Sequence, residues 1–261
     1  MRCIFCKEDS TNSKSVEHII PESLGGKKHI LPAGIVCDKC NNYFAREVEK
    51  PFLEDSSIKH LRFEEGIESK KGIIPAISGI LNYQHPVRVW KDLHGGFVGH
   101  IDVDSVAFKT IMSAKSSTVI FPKVSDEAFI KNGTIVSRFI GKVAIEALAQ
   151  RILYHALDLF IDDSQYDLLR NHVRRGTQRD WDCNVRRIYN IDKRWVDIET
   201  KETYQIMNEY DFLYTDEMEL YFILAVLGME YAINMGDPSM EGYNYWLKTH
   251  SNKSPLYYEK N

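Results

Sequence analysis

The sequence predicts an α+β protein. A small zinc-stapled strand–strand–helix unit comes first, and an α+β domain with a small antiparallel sheet and a long helix follows. Three observations carry this. Four of the five cysteines fall in two Cys-x-x-Cys pairs, Cys3/Cys6 and Cys37/Cys40. Ile140, Val143, Ala144, Ala147, Leu148 and Ile152 recur at helical spacing inside a helix expected from about Val136 to Phe160. Val87, Val89, Phe97, Ile101 and Val103 alternate with polar or small residues around a His94-Gly95-Gly96 turn, the pattern of a hairpin.

The knuckles come first along the chain. Two residues between cysteines let both thiolates turn onto one ion, and four thiolates at about 2.3 Å complete a tetrahedral zinc site. Such a site has no open position, so this zinc staples the fold and does no chemistry. The two pairs stand thirty residues apart, longer than the ~15–20 of a common zinc ribbon. The insert carries Glu17 and His18. Val16, Ile19 and Ile20 are β-formers and Pro21 stops the run, which puts His18 at the end of a short strand before a Leu24-Gly25-Gly26 turn. A carboxylate there suits a hard divalent cation, and an imidazole suits proton removal from a water. The plainer alternative is a strand-end histidine capped by its neighbour.

Gly34 to Cys37 reads as a second strand running into a turn. Cys40, Phe44 and Val48 then form an apolar stripe at i, i+4 and i+8, which predicts a helix from about Asp38 to Lys50 with Asp38 as N-cap. Asn41 falls in its first turn beside a zinc ligand, placed to offer an amide oxygen to a metal.

Strand, Glu-His-Ile-Ile-Pro, strand, Cys-x-x-Cys-Asn, helix resembles the ββα-metal fold of the HNH endonucleases, in the variant with a four-cysteine structural zinc. The resemblance covers roughly residues 1–50. It implies His18 as general base, and Glu17 and Asn41 as catalytic residues that hold a divalent cation, Mg²⁺ or Mn²⁺. Cys3, Cys6, Cys37 and Cys40 match the structural Zn²⁺ positions. It also implies hydrolysis of phosphodiester bonds in DNA, with RNA open. One active site makes one nick, so a double-strand break requires a homodimer or two visits. Restriction, phage defence and mobile elements are the settings it suggests. Two departures stand out. The family usually has Asp where Glu17 stands, and its His-orienting Asn position is Pro32 here, which leaves the orienting group of His18 unassigned.

The rest of the chain, residues 51–261, is expected to be a C-terminal α+β domain with a nucleic-acid-binding, regulatory or dimerising role. Lys50-Pro51 marks its start. Phe52 to Phe63 is a short helix or connector, Ile73-Ile74 a short strand, and Ser116 to Phe121 a strand ended by Pro122. In the long helix, Lys142, Glu146 and Gln150 line the face opposite the apolar stripe. Tyr166 to Val173 reads as a helix ended by Arg174-Arg175-Gly176. Met218 to Met235 reads as a hairpin broken at Gly228, because its aromatic and β-branched residues favour strands. Glu241 to Thr249 is a last helix.

Composition sets bounds. At 261 residues with 44% hydrophobic side chains, the chain can bury a sizeable core. The net charge of −4 does not mark a nucleic-acid binder. Residues 166–195 nevertheless carry eight basic and four acidic side chains. Arg174, Arg175, Arg179, Arg186 and Arg187 are therefore the candidate phosphate grip, with Trp181 as a stacking platform; a face of solvated arginines is the alternative. No apolar signal segment follows Met1, and the longest apolar run, Leu220 to Met229, is too short to span a bilayer. No membrane role and a cytoplasmic location are the expectation. A different class of reading also stands: a zinc-stabilised nucleic-acid-binding or adaptor module that has lost catalysis, with Pro32 as the symptom.

Overall fold

The computed structural model describes residues 1–91, 99–121, 133–176 and 181–258. Strand β1 (Glu17–His18) pairs antiparallel with β2 (Ile30–Leu31), Glu17 opposite Leu31 and His18 opposite Ile30. The second strand thus lies before residues 34–37, where it was expected. Pro32 has no N–H to extend the ladder, and Gly34 at φ 92° turns the chain away. Between the strands, a 3-10 turn at Glu22–Leu24 ends in Gly25 at φ 80°. A Cβ on Gly26 would sit 1.9 Å from the Ile20 carbonyl oxygen, so the backbone folds tightly under the end of β1.

Helix α1 (Asp38–Phe44) passes through a wide π-helical turn, Ala45–Glu49, into α2 (Lys50–Leu53). The helix expected over 38–50 is there, but its N-cap is Cys37, whose Sγ accepts the Cys40 N–H at 3.4 Å. Asp38 instead reaches back to the Ser15 and Lys14 amides at 2.9 and 3.1 Å. Pro51 cannot donate to the Glu47 carbonyl, and Arg138 Nη1 does so at 3.4 Å.

The chain divides into two compact units, Met1–Phe52 with Ile130–Asn261, and Leu53–Phe129. A division near residue 50 was expected. The structure adds that the N-terminal segment shares its unit with the last half of the chain.

The middle unit holds α3 (Ser56–Glu64), β3 (Ile77–Leu81), β4 (His85–Trp90), β5 (His100–Asp102), α4 (Ser105–Ser113) and β6 (Val119–Ile120). Its sheet runs β5-β4-β3-β6, every pair antiparallel. The β4–β5 hairpin agrees with the alternation of Val87, Val89 and Ile101; its His94-Gly95-Gly96 turn and Phe97 lie outside the described residues. The strand expected at Ile73-Ile74 begins instead at Ile77. The β3–β4 turn uses Asn82 and Tyr83, both at positive φ (47° and 63°), which matches the twist of a tight hairpin. Leu81, Val87 and Ala107 form a small core.

The larger unit is built on α5 (Gly133–Ile152). The chain then turns before α6 (Leu157–Asp162), so the helix expected over 136–160 is two helices. Next come α7 (Asp167–Arg175), closed by Gly176 at φ 63°, then β7 (Asn184–Arg187) and the short ribbon β8 (Trp195–Val196) and β9 (Thr203–Tyr204). Strands β10 (Asn208–Tyr214), β11 (Leu220–Val226) and β12 (Met229–Asn234) complete a sheet ordered β10-β11-β12-β7, all antiparallel. Helix α8 (Glu241–Thr249) comes last.

The β11–β12 hairpin turns at Leu227 and Gly228, as the glycine predicts. Both strands are covered on both faces, which explains why no alternation marks them. Tyr221, Ile223 and Ala232 pack with Tyr243 and Leu247 of α8. The opposite face meets α5: a Cβ on Gly141 would lie 3.7 Å from Ile233 and 2.9 Å from Leu169 and Val173 of α7. Helix α5 is therefore enclosed, with Lys142 and Glu146 at 0% exposure. Their polarity predicts an outer face, and the structure buries both. Among the described residues, no helix is long and apolar enough to cross a membrane.

Candidate functional site

The first knuckle closes as a tight loop. The Cys3 amide donates to Glu8, the Lys7 amide donates to Cys3, and Lys7 takes φ 64°. The second opens α1. The four Sγ atoms of Cys3, Cys6, Cys37 and Cys40 lie within 4.8 Å of one another. Cys6 and Cys37 are 3.7 Å apart, close to the ~3.8 Å edge of a tetrahedron with 2.3 Å zinc–sulfur bonds. A hydrogen bond from Cys40, joined by backbone donors, brings the Cys3 thiol down to about 5. Burial pushes Cys6 up to about 11, and Cys40 is raised by its bond to Cys3 and by burial. This donor set fits zinc: the four cysteines would hold it, and bound zinc would tie the start of the chain to the start of α1.

His18 stands at the end of β1. Its Nε2 is 3.1 Å from Glu22 Oε1, and its Nδ1 is buried with no partner among the described residues. Glu22 was not singled out in the sequence. The only available signal was its place four residues after His18, and Pro21 between them argued against a helical reading.

Glu17 points elsewhere. Neighbouring strand residues face opposite ways, and Glu17 is 5% exposed. Its Oε1 lies 2.5 Å from Nζ of Lys142 on α5. Glu49 Oε1 and Glu146 Oε2 meet the same ammonium at 2.7 and 3.0 Å. Burial alone would lower the Lys142 pKa, but Glu146, Glu17 and Glu49 hold it well above the usual lysine value. Burial drives Glu146 well above the carboxylate range. Asn41 is half-buried in the first turn of α1, next to Cys40. A divalent cation on Glu17 would stand against the buried Lys142 ammonium on the same carboxylate, an unfavourable pair of positive charges. Lys142 and Glu49 carried no local signal of this role.

The arginines separate. Arg174 and Arg175 line a cleft of about 660 Å³ with Lys39, Tyr43 and the knuckle residues Cys6, Cys37 and Cys40. Arg186 and Arg187 line another of about 490 Å³ with Tyr189, Lys193, Trp195 and Tyr257. There Arg186 is committed to buried Glu230 at 2.5 Å. Arg187 donates to the Leu227 carbonyl at 3.2 Å. Arg179 lies outside the described residues. Trp181 is no stacking platform: it is 2% exposed, and its indole N–H donates to the Asn234 carbonyl at 3.2 Å. His29, between the two short strands, shares hydrogen bonds with Tyr210 and Gln150 at 3.1 and 3.3 Å.

No curated protein and no solved structure matches the chain. Residues 3–57, which hold both cysteine knuckles, the Glu17–His18 strand and the helix that follows, match the model of the HNH endonuclease family.

Proposed function

We propose that this protein hydrolyses phosphodiester bonds in DNA, with His18 as the general base. The observation that carries the reading is the state of the His18 ring inside a segment that matches HNH endonucleases. One nitrogen is held by Glu22 at 3.1 Å and the other is buried without a partner. A proton kept on Nε2 beside Glu22 leaves Nδ1 its lone pair, the tautomer a base requires. His18 then takes the proton of an attacking water at Nδ1, and Glu22 stabilises the imidazolium. The cleft beside the knuckles offers Arg174, Arg175 and Lys39 to phosphate oxygens. Nucleases of this family generally use a divalent metal. Mg²⁺ or Mn²⁺ on Glu17 and Asn41 is the assignment the resemblance supplies, and the hold of Lys142 on Glu17 opposes it in this arrangement. The setting is a soluble protein of the cytoplasm, acting as a homodimer where both strands are cut.

The test is cleavage of supercoiled plasmid by the zinc-loaded protein with Mg²⁺ or Mn²⁺, with and without EDTA, beside His18→Ala. The expected result is nicking by the wild type and a loss of about 10²–10⁴-fold in the variant, the usual worth of a general base. Equal activity in a folded, zinc-loaded His18→Ala would overturn the assignment. A second reading has its own support: Pro32 in the orienting position and Glu17 bound by Lys142 suit a zinc-stabilised nucleic-acid-binding module without catalysis. Wild type that binds DNA but leaves DNA and RNA intact would select it.

A further inference from the structure

Lys142 has no exposed surface, and its ammonium meets three carboxylates from separate elements: Glu17 on β1, Glu49 in the π-helical turn and Glu146 on α5. Glu146 is itself fully buried, and neither of its oxygens has a hydrogen-bond partner among the described residues. Lys142 faces it 3.0 Å from Oε2, and Glu17 and Glu49 add like charge nearby. A buried carboxylate left without hydrogen bonds is costly. Oxygen atoms from several elements converging on one positive centre are how proteins hold hard cations. Here Nζ occupies the centre.

On the nuclease reading, in which Glu17 is the cation ligand, we propose that the Lys142 ammonium is the resident cation of this cage, and that a divalent ion binds Glu17 only by displacing it. Lysine suits the task. It is a compact point charge on a flexible four-carbon stem and can leave without disturbing the helix that carries it. The lysine comes from α5, beyond the segment that matches the family. The C-terminal part of the chain thereby sets how strongly the N-terminal carboxylate binds metal.

The experiment is titration of the zinc-loaded full chain with MnCl₂, following free Mn²⁺ by electron paramagnetic resonance, for wild type, Lys142→Met and Lys142→Met/Glu17→Gln. The expected result is at least tenfold tighter Mn²⁺ binding in Lys142→Met and loss of that gain in the double variant. A folded, zinc-loaded Lys142→Met that binds Mn²⁺ no tighter than wild type overturns the proposal. A measurement on the wild type stands apart from the folding of the variant: anomalous diffraction from crystals soaked in MnCl₂. Manganese at Glu17 with Lys142 swung away agrees, as does no manganese with Lys142 in place. Manganese on Glu17 with Nζ still in hydrogen-bond reach overturns it. Both readouts are metal binding, so a chain inert on nucleic acids can still pass, and one that cleaves can still fail.

Discussion

A histidine base needs one ring nitrogen held and the other unprotonated; at His18, Nε2 faces Glu22 at 3.1 Å and Nδ1 is buried without a partner among the described residues. Glu22→Gln keeps the shape but removes the charge that stabilises the imidazolium. In single-turnover plasmid nicking, kcat should fall about tenfold or more with KM little changed, as when the carboxylate behind a functional histidine is lost. An unchanged kcat would remove Glu22 from the site. The residues that were legible in the sequence, the four cysteines and His18, announce themselves by short spacing and distinctive chemistry. Glu22 was hidden behind Pro21, and Lys142 sits 125 residues from Glu17. No pattern within a window of sequence can report such a pair.

Among the elements, α7 is tied to the first knuckle. Asp167 meets Lys7 at 2.7 Å and Arg170 at 2.8 Å, and Arg170 Nε donates to the Ile4 carbonyl at 2.9 Å. Burial would raise the Asp167 pKa, but bonds from Lys7 and Arg170 outweigh it and hold the carboxyl below its usual value. A depressed carboxyl stabilises the fold above the unfolded-state pKa of about 3.9 and loses that contribution as pH falls through the lower folded value. Asp167→Asn should therefore lower Tm at neutral pH, with the gap to wild type narrowing below about pH 4. A gap constant from neutral to acid pH would show that the ion pairs do not stabilise.

Arg170 also shows where element-scale reading fails. In sequence it belongs to a basic stretch, yet it is 2% exposed and braces backbone carbonyls. Gly228, Gly176 and the limits of α8 were legible because turns and caps are local chemistry. The place of β2 was not, because Pro32 interrupts the strand that Ile35 and Val36 suggest. Lys142 and Glu146 look like a solvated face until the partners of α5 are known.

For the whole molecule, the matched segment does not own its core. Phe52 stacks on Phe139 at 3.9 Å and meets Tyr231 at 6.0 Å. Arg138 donates to the Tyr43 hydroxyl at 2.7 Å. A fragment ending at residue 57 would expose these faces and strand Glu17 and Glu49 without their ammonium. With zinc it should bind metal at the knuckles but show no cooperative thermal transition, measured by circular dichroism. A sharp melt like that of the full chain would show that the segment folds alone.

The pairing of Glu17 with Lys142 also dictates a schedule during synthesis. With 125 residues between them and elongation at about 5–20 residues per second, the carboxylate waits roughly 6–25 s on the ribosome for its partner. The knuckles can close around zinc within that interval, while the strand bearing His18 lacks the helix it packs against. The nascent chain thus carries closed cysteine knuckles on an unfinished segment, completed only after α5 has emerged.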